Sequence, residues 1–253
     1  MNSISATIIT YNEETNIERC LNSLIGIADE IIVVDSGSAD ATVQTCQRWG
    51  CRVSHRQFSG YGSQRQWATS LASHTYILAI DADECLSEEL RQHIINLKHH
   101  GLEQHRVYRM QVAEYYWGNL VTHCPIDSKP KIRLFNRRYA QWNMSDLGEQ
   151  VTFPESLRPV TLDGKLLHYR AADYDEFCRK EDLRSALQAQ GIANSQNKIK
   201  PWTPRIKAWA KYYNMMVSRR AWADGPIGRL IARRVALSTY KAWSMARQKK
   251  SQQ

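Results

Sequence analysis

The stretch that decides the fold is Ile77-Leu78-Ala79-Ile80-Asp81-Ala82-Asp83-Glu84, a short apolar run followed directly by carboxylates. Its apolar half has the length and composition of a buried strand. Side chains at i and i+2 lie on the same side of an extended chain, so Asp81 and Asp83 face one ligand. Ionised carboxylates are costly out of water, and hard divalent cations take oxygen ligands. The pair therefore predicts a metal ion that bridges to phosphate.

Strands alternate with amphipathic helices around this stretch. The pattern predicts strands over Ser5–Thr10, Ile31–Val34, Cys51–His55 and Tyr76–Ile80, and helices from Ile17, over Asp40–Trp49 and over Ser63–Ser73. Such alternation is typical of an α/β fold with a mostly parallel central sheet covered by helices.

Polar residues collect where these strands end. Tyr11 and Asn12 follow the first strand, Asp35 follows the second, and Asp81 and Asp83 follow the fourth. The carboxyl ends of parallel strands share one edge of an open sheet, where ligands bind. We therefore expect these residues to converge.

The later part of the chain changes character. Short β-like runs, at Val107–Val112, Lys131–Phe135, Val160–Leu162 and Leu166–Tyr169, predict an extension of the sheet. The aromatic residues of this segment either form a wall on which a sugar stacks or belong to the core, and the core is favoured; they are Tyr115, Tyr116, Trp117 and Trp142. A helix then follows Asp175, and a break at Pro201 and Pro204 precedes an apolar stripe that we expect to pack inside the protein rather than to form an acceptor site. The stripe comprises Ile206, Trp209, Ala210, Tyr213, Met216 and Val217. A further break at Asp224-Gly225-Pro226 precedes a basic helix.

Composition and charge limit the classes of protein that fit. With 253 residues, of which 43% are hydrophobic, the chain is expected to be globular, and no apolar run reaches the roughly 18 residues of a membrane span. The N-terminus has no signal-sequence pattern, so we expect a cytosolic chain. The six cysteines have no zinc-site spacing, which predicts reduced and mostly packed thiols.

The charge is concentrated at one end of the chain. Residues 1–176 contain 17 Lys and Arg against 22 Asp and Glu, a net of −5, whereas residues 177–253 contain 17 against 3, a net of +14. A basic helical segment of this kind suits an anionic membrane surface, a phosphorylated acceptor or nucleic acid.

Four motifs in order resemble family 2 glycosyltransferases of the GT-A fold. They are Thr10-Tyr11-Asn12-Glu13-Glu14, Val34-Asp35-Ser36-Gly37-Ser38-Ala39-Asp40, Gly62-Ser63-Gln64-Arg65-Gln66 and Ile80-Asp81-Ala82-Asp83-Glu84. Later segments, Arg133-Leu134-Phe135, Leu167-His168-Tyr169 and Asp224-Gly225-Pro226-Ile227-Gly228, resemble the branch of lipopolysaccharide inner-core β-1,4-glucosyltransferases. The resemblance implies a GT-A domain over residues 1–175, with a nucleotide-sugar-binding half (1–100) and an acceptor half (101–175). Residues 176–253 would form a basic helical C-terminal extension.

The resemblance also assigns roles to individual residues. The UDP-sugar donor would contact Thr10, Tyr11, Asn12, Glu14, Asp35, Gly37, Gln64, Arg65, Asp81 and Ala82. Tyr11 would stack on the uracil ring, and Asp35 would accept a hydrogen bond from it. Asp83 would coordinate the Mg²⁺ or Mn²⁺ that bridges the diphosphate, with Asp81 near the ribose or the metal. His168 is a candidate third ligand.

Inverting transfer requires a general base for the acceptor hydroxyl. Glu149, in Asp146-Leu147-Gly148-Glu149-Gln150, occupies the position of the family's His-Glu pair and is the first candidate, with Asp146 and Asp127 as alternatives. Gly148 stands where the family usually has His, so the usual orienting partner is missing.

The predicted function is hexose transfer, with glucose from UDP-glucose, to a heptose of the lipid-anchored lipopolysaccharide core. The enzyme would associate peripherally with the anionic inner face of the inner membrane. Three alternatives remain open at this point: transfer to polyprenyl phosphate or another surface glycan, nucleotidyl transfer, and nucleic-acid binding by the basic C-terminal helices. For the predicted glucosyltransferase itself, no nucleic-acid partner is expected.

Overall fold

The structure is a computed structural model that describes residues 2–126, 129–144, 148–194 and 198–251. It divides into two compact units. Unit 1 comprises Met1–Ala113 and Asp127–Tyr169, and unit 2 comprises Glu114–Ile126 and Arg170–Gln253. Residues 114–126 thus group with the C-terminal helices, whereas the sequence assigned them to the acceptor half; the boundary after residue 175 stays a prediction.

Unit 1 begins with the predicted alternation of strands and helices. The elements are β1 (Ile4–Thr10), α1 (Ile17–Ser23), β2 (Glu30–Asp35), α2 (Thr42–Arg48), β3 (Arg52–His55), α3 (Tyr61–Ser70) and β4 (Tyr76–Asp81). Strands β3, β2, β1 and β4 are adjacent in that order, and each pair is parallel. The parallel, helix-covered half of the sheet is therefore confirmed.

The second half of the sheet is antiparallel where its pairing is defined. The elements that follow β4 are β5 (Glu84–Leu86), α4 (Glu88–His100), β6 (Arg106–Tyr116), β7 (Asn119–Val121), β8 (Lys131–Asn136), β9 (Gln141–Trp142), β10 (Val151–Thr152) and β11 (Arg158–Ala171). The sheet order is β3-β2-β1-β4-β8-β6-β11-β5, with β7 paired to β6 and with β9 and β10 forming a separate two-stranded sheet. The β8 strand runs antiparallel to both β4 and β6. The predicted extension of the sheet is confirmed.

One helix was missed from the sequence. Helix α4 begins after Ser87, whose hydroxyl accepts a hydrogen bond from the Leu90 amide at 3.3 Å, and buries Leu90 and Ile94. It also buries Lys98, whose ammonium donates to the Asp29 carboxylate at 2.8 Å. The serine cap and the i, i+4 apolar pair are sequence features that favour a helix here.

The two predicted strands over Val160–Leu162 and Leu166–Tyr169 are one continuous strand, β11. Gly164 lies within it at a φ of +86°, and a Cβ there would lie 2.3 Å from the Leu90 amide nitrogen. The sequence therefore contains a glycine because the backbone of α4 approaches closely, and the glycine does not end the strand.

Unit 2 consists mainly of helices. They are α5 (Tyr174–Asn194), α6 (Thr203–Tyr213), a π-helical turn (Asn214–Ser218), a 3₁₀ turn (Ala221–Asp224) and α7 (Gly225–Ser251). Their core includes Tyr116, Phe177, Met215 and Ile231, each at most 2% exposed. Within the described residues, no helix combines the length and the apolar character needed to cross a membrane.

The apolar stripe of α6 lies mostly at the surface, whereas the sequence predicted that it is buried. Ile206, Trp209, Ala210, Tyr213 and Val217 are exposed, and of the stripe only Met216 packs against the core of unit 2. The prediction that this stripe packs inside the protein is therefore wrong for all of its members except Met216. The periodicity correctly predicted that these residues share one face of the helix, but that face is exposed and the opposite face is buried.

Asp224, in the motif before α7, fastens a loop of unit 2. Its carboxylate accepts hydrogen bonds from the backbone amides of Thr122 (3.1 Å), His123 (3.0 Å) and Cys124 (2.9 Å), and its side chain is only 5% exposed. Burial raises the pKa of Asp224, but the amide of Cys124 and the other donors outweigh burial and lower it to about 2. This residue therefore has a structural role.

Asp224→Asn is expected to lower the free energy of unfolding by about 2 kcal/mol at pH 7, because the folded pKa of Asp224 lies below its unfolded value. A lowered folded pKa stabilises the protein fully above pH ~4, and this contribution disappears as the pH falls towards 2. Urea unfolding of both proteins at several pH values measures the difference. The exposed Asp175→Asn is the control. A difference that stays constant as the pH is lowered to about 3 would contradict the assignment.

Candidate functional site

The ends of three parallel strands meet at one edge of the unit 1 sheet. Thr10 is paired in register with Asp35, and Asp35 is paired with His55. Ile9, one residue earlier in β1, is paired with Asp81. The predicted convergence of these strand ends is confirmed.

Asp35 closes the turn that follows β2. Its fully buried carboxylate accepts hydrogen bonds from the amides of Gly37 (2.8 Å) and Ser38 (3.0 Å) and from the Ser38 hydroxyl, and it lies 3.2 Å from Nδ1 of His55. Gly37 has a φ of +101°, a conformation that L side chains rarely adopt. The turn is thus rigidly built, and the contact of Asp35 with a base stays a prediction.

The loop after β1 is tied to the loop after β2. The Asn12 side-chain oxygen accepts from the Ala39 amide at 2.8 Å, and the Glu14 carboxylate accepts from the Ala41 amide at 2.9 Å. The Tyr11 ring is 59% exposed. The Thr10 hydroxyl is buried and has no hydrogen-bond partner among the described residues. The edge therefore presents an aromatic ring and an unsatisfied hydroxyl.

Gln64 and Arg65 project from α3. Gln64 is fully buried and donates to the Ser36 hydroxyl at 3.1 Å and to the Arg56 carbonyl at 2.9 Å, so it positions the turn after β2. Arg65 donates to both oxygens of Asp81, at 2.6 and 2.7 Å, and to Glu149. One guanidinium thus links the end of β4 to the candidate base.

A second arginine completes this charge network. Arg133, on β8, donates to Asp81 at 2.9 Å and to Glu84 at 2.7 Å, and its side chain is 3% exposed. Burial raises the pKa of Asp81, but Arg133 and Arg65 outweigh burial and hold that pKa well below its usual value. Burial likewise raises the pKa of Glu84, and Arg133 reverses the shift. Both carboxylates are therefore ionised and paired.

Arg133→Met is expected to lower the free energy of unfolding by about 3 kcal/mol, because it removes the cation shared by the buried carboxylate of Glu84 and the partly buried carboxylate of Asp81. Glu84→Gln in the same chain should recover part of this loss, so the double variant should be more stable than the two single losses predict. Urea unfolding of the four proteins measures the coupling. Arg138→Met, at an exposed arginine just after the same strand, is the control. If the loss of stability in the double variant equals the sum of the losses in the two single variants, the pairing of Arg133 with Glu84 is contradicted.

Asp83 and His168 form a pair beyond the end of β4. Nε2 of His168 lies 3.3 Å from Oδ2 of Asp83, and the Asp83 carbonyl accepts from the Tyr169 amide at 2.8 Å. Two ligands at right angles on an octahedral ion, each about 2.1 Å from it, lie about 3 Å apart. The pair therefore has the spacing and donor atoms of two adjacent ligands of one divalent cation.

No cluster of three or more His, Cys, Asp or Glu side chains suitable for a metal occurs in the described part of the chain. The two oxygens of Asp81 are both engaged by arginines. Magnesium commonly takes only one or two protein ligands, and phosphates and water complete its coordination. The Asp83 and His168 pair fits such a substrate-completed site, and ligation by Asp81 stays a prediction.

Glu149 follows Gly148 and is held by Arg65, with 22% of its side chain exposed. Gly148 has a φ of +75°. Arg65 thus supplies an orienting partner where the family's histidine is missing. The alternative bases, Asp127 and Asp146, lie outside the described residues.

One site residue was missed from the sequence, Arg133, which lies beside the ring of Trp142. In the sequence, Arg133 stands out only as the first residue of the Arg133-Leu134-Phe135 motif. In the structure, the guanidinium carbons of Arg65 and Arg133 lie 5.2 and 6.0 Å from the ring centroid of Trp142. The available sequence feature was the i, i+2 spacing of Lys131 and Arg133, which places two cations on one face of a strand. Both donate to Glu84.

Comparison with known proteins defines the class of this site. The profile described as glycosyl transferase family 2 matches residues 5–146, which is more than half of the chain. The chain therefore belongs to glycosyl transferase family 2. The predicted family and the GT-A fold class are confirmed.

Relatives in this family include an uncharacterized glycosyltransferase of Rickettsia typhi. It is 31% identical over 207 residues, with 79% of this chain and 71% of the relative covered. The lipopolysaccharide core biosynthesis glycosyltransferase LpsC of Rhizobium meliloti is 31% identical over 191 residues, with 74% and 70% covered. Among solved structures, S. aureus TarS 1-349 in complex with UDP-GlcNAc is 15% identical and covers 98% of this chain and 90% of its own, with a TM-score of 0.44.

Proposed function

We propose that this chain is a metal-dependent, inverting hexosyltransferase that moves glucose from UDP-glucose to a heptose of the lipopolysaccharide inner core. The observation that supports it most directly is the strand-end edge, where Asp83 and His168 are paired beyond β4 and an arginine holds Glu149. The core acceptor is supported by the lipopolysaccharide core biosynthesis glycosyltransferase LpsC among its relatives.

The donor binds at the edge formed by β1, β2 and β4. Tyr11, whose ring is exposed, stacks on uracil, and the Thr10 hydroxyl, which has no partner in the described part of the chain, hydrogen-bonds to the nucleoside. Asp35 accepts a hydrogen bond from the uracil base, and Gly37, which has no side chain, lets the backbone of the turn after β2 approach that base. Asn12, Glu14 and Gln64 act by holding these loops in place.

Asp83 and His168 would hold the divalent cation, Mg²⁺ or Mn²⁺, and the small side chain of Ala82 would allow the diphosphate to approach the backbone between the two aspartates. A cation bound there offsets the negative charge that develops on the departing diphosphate. Asp81, fixed by Arg65 and Arg133, lies nearer the ribose and accepts a hydroxyl hydrogen bond.

Glu149 removes the proton from the acceptor hydroxyl as that oxygen attacks the anomeric carbon on the face opposite the diphosphate. The new bond to the acceptor oxygen forms while the bond to the diphosphate oxygen breaks, which inverts the configuration. Arg65 fixes the orientation of Glu149, because its other terminal nitrogen is anchored on Asp81.

The acceptor places this enzyme at the cytoplasmic face of the inner membrane. Lipid A and core sugars bear phosphates, and the net charge of +14 over residues 177–253 suits an anionic surface. Membership of an enzyme family favours this function over nucleic-acid binding, which the charge alone also suited. Polyprenyl phosphate or another surface glycan remains the second candidate acceptor.

A panel of UDP-sugars tests the proposal. The purified chain is incubated with each donor, with deacylated core oligosaccharide or polyprenyl phosphate as acceptor, and with Mg²⁺, Mn²⁺ or EDTA. We expect UDP release and a product only with UDP-glucose, core oligosaccharide and a cation. Turnover that EDTA leaves unchanged, or transfer only to polyprenyl phosphate, would contradict the metal or the acceptor assignment.

A further inference from the structure

Helix α6 and its flanks present an apolar face to solvent. We define the α6 apolar face as Trp202, Ile206, Trp209, Tyr213 and Val217, whose side chains are 56, 55, 65, 51 and 53% exposed. The members are three or four residues apart, so they lie along one side of the helix. The rings of Trp209 and Tyr213 are stacked, with centroids 5.4 Å apart.

The opposite side of the same helix is the one that packs. Pro204 and Met215 are buried, and Met215 belongs to the core of unit 2. Ala208 and Tyr212, between them on the helix, are partly buried. The solvent-facing side of α6 is therefore more aromatic than a surface helix requires, which is the pattern of a binding site.

Cations flank the α6 apolar face. Arg205 and Lys207 are exposed on either side of Ile206, and at about 100° per residue they point to opposite sides of the stripe. Residues 198–223 contain seven Lys and Arg and no Asp or Glu. The ammonium of Lys200 lies 5.4 Å from the centroid of the Trp202 ring.

This combination identifies the partner. Tryptophan and tyrosine rings favour the region between lipid headgroups and acyl chains, and flanking Lys and Arg attract anionic headgroups. A second copy of the chain would bring two sets of seven cations together without an acidic partner, which opposes self-association through this face.

We propose that the α6 apolar face docks on an anionic lipid bilayer, with Trp209 and Tyr213 entering the headgroup region. This inference rests on the proposed function, because a lipid-anchored acceptor requires the enzyme to work at a membrane surface. It differs from a general electrostatic attraction between residues 177–253 and an anionic membrane, because it assigns membrane binding to one helix face and to its aromatic side chains. Such binding is only partly screened by salt.

Vesicle co-sedimentation tests the proposal, with phosphatidylcholine vesicles that contain or lack phosphatidylglycerol. The Trp209→Ser/Tyr213→Ser variant is expected to bind the phosphatidylglycerol vesicles at least about tenfold more weakly than the unaltered chain, most clearly at high salt. The control is Leu183→Ser/Leu237→Ser, which removes two exposed leucines outside the α6 apolar face. Thermal unfolding verifies that each variant is folded. Binding by the first variant that equals that of the control overturns the proposal.

A second pair of variants separates the face from the overall charge. Arg205→Glu/Lys207→Glu and Arg229→Glu/Arg233→Glu change the net charge equally, and all four positions are exposed. The first pair should weaken binding severalfold more than the second. Equal weakening would show that only the net charge matters and would overturn the proposal. A shift of oligomeric state in Trp209→Ser/Tyr213→Ser, with vesicle binding intact, would assign the face to a second copy instead.

Activity measurements keep this proposal distinct from the proposed function. Transfer to deacylated, water-soluble core oligosaccharide should be unchanged in Trp209→Ser/Tyr213→Ser, whereas transfer to acceptor embedded in vesicles should fall with binding. Failure of the unaltered chain to transfer to either acceptor contradicts the proposed function, and the vesicle result stands independently. Equal loss with both acceptors overturns the docking role.

Discussion

Asp83→Asn is expected to reduce glucose transfer by about 10³-fold, because it replaces a charged ligand of the proposed cation with a neutral one and the cation contributes several kcal/mol. The side chain keeps its size, and the hydrogen bond that the Asp83 backbone carbonyl accepts from the Tyr169 amide does not involve the carboxylate. The loss should therefore appear in activity while the fold persists.

Metal binding gives a measurement of this effect that does not depend on turnover. Titration of Mn²⁺ in the presence of UDP, followed by electron paramagnetic resonance, should show weaker binding in Asp83→Asn and in His168→Ala. Asp163→Asn, at a carboxylate that is 80% exposed on β11, is the matched control. Unchanged Mn²⁺ affinity together with unchanged transfer would remove Asp83 and His168 from the proposed site.

The strand-end edge was predictable from the sequence because it follows from local rules. Each parallel strand is a short apolar run, and the polar residues Thr10, Asp35 and Asp81 stand at its end. Once a parallel sheet is inferred, strand direction alone brings these ends together. The register of the structure, with Thr10 opposite Asp35, agrees with this.

The ion network was not predictable in the same way. Arg133 reaches Asp81 because β8 lies antiparallel beside β4, a pairing between segments far apart in the sequence that no local pattern specifies. The same limit explains the α6 apolar face. Periodicity shows which side chains share a side of a helix, but which side the core covers depends on the neighbouring elements.

Glu149→Gln is the second substitution with a large expected effect. The amide has nearly the same shape but cannot accept the acceptor's proton, so the turnover number should fall about 10³-fold, within the usual contribution of a general base. The carbonyl oxygen of the introduced amide can still accept a hydrogen bond from Arg65. The Michaelis constant for UDP-glucose should therefore change little, which separates a chemical role from a binding role.

Comparison with Arg65→Lys distinguishes the base from the residue that positions it. Lysine keeps the positive charge but cannot bridge Asp81 and Glu149 with two fixed N–H groups, so the carboxylate of Glu149 loses its defined orientation. This variant should lose less turnover than Glu149→Gln, and adding Glu149→Gln to it should cost little more than Glu149→Gln alone. Glu155→Gln, at an exposed glutamate of unit 1, is the control. Full activity in Glu149→Gln would transfer the role of base to one of the alternative aspartates, Asp127 or Asp146.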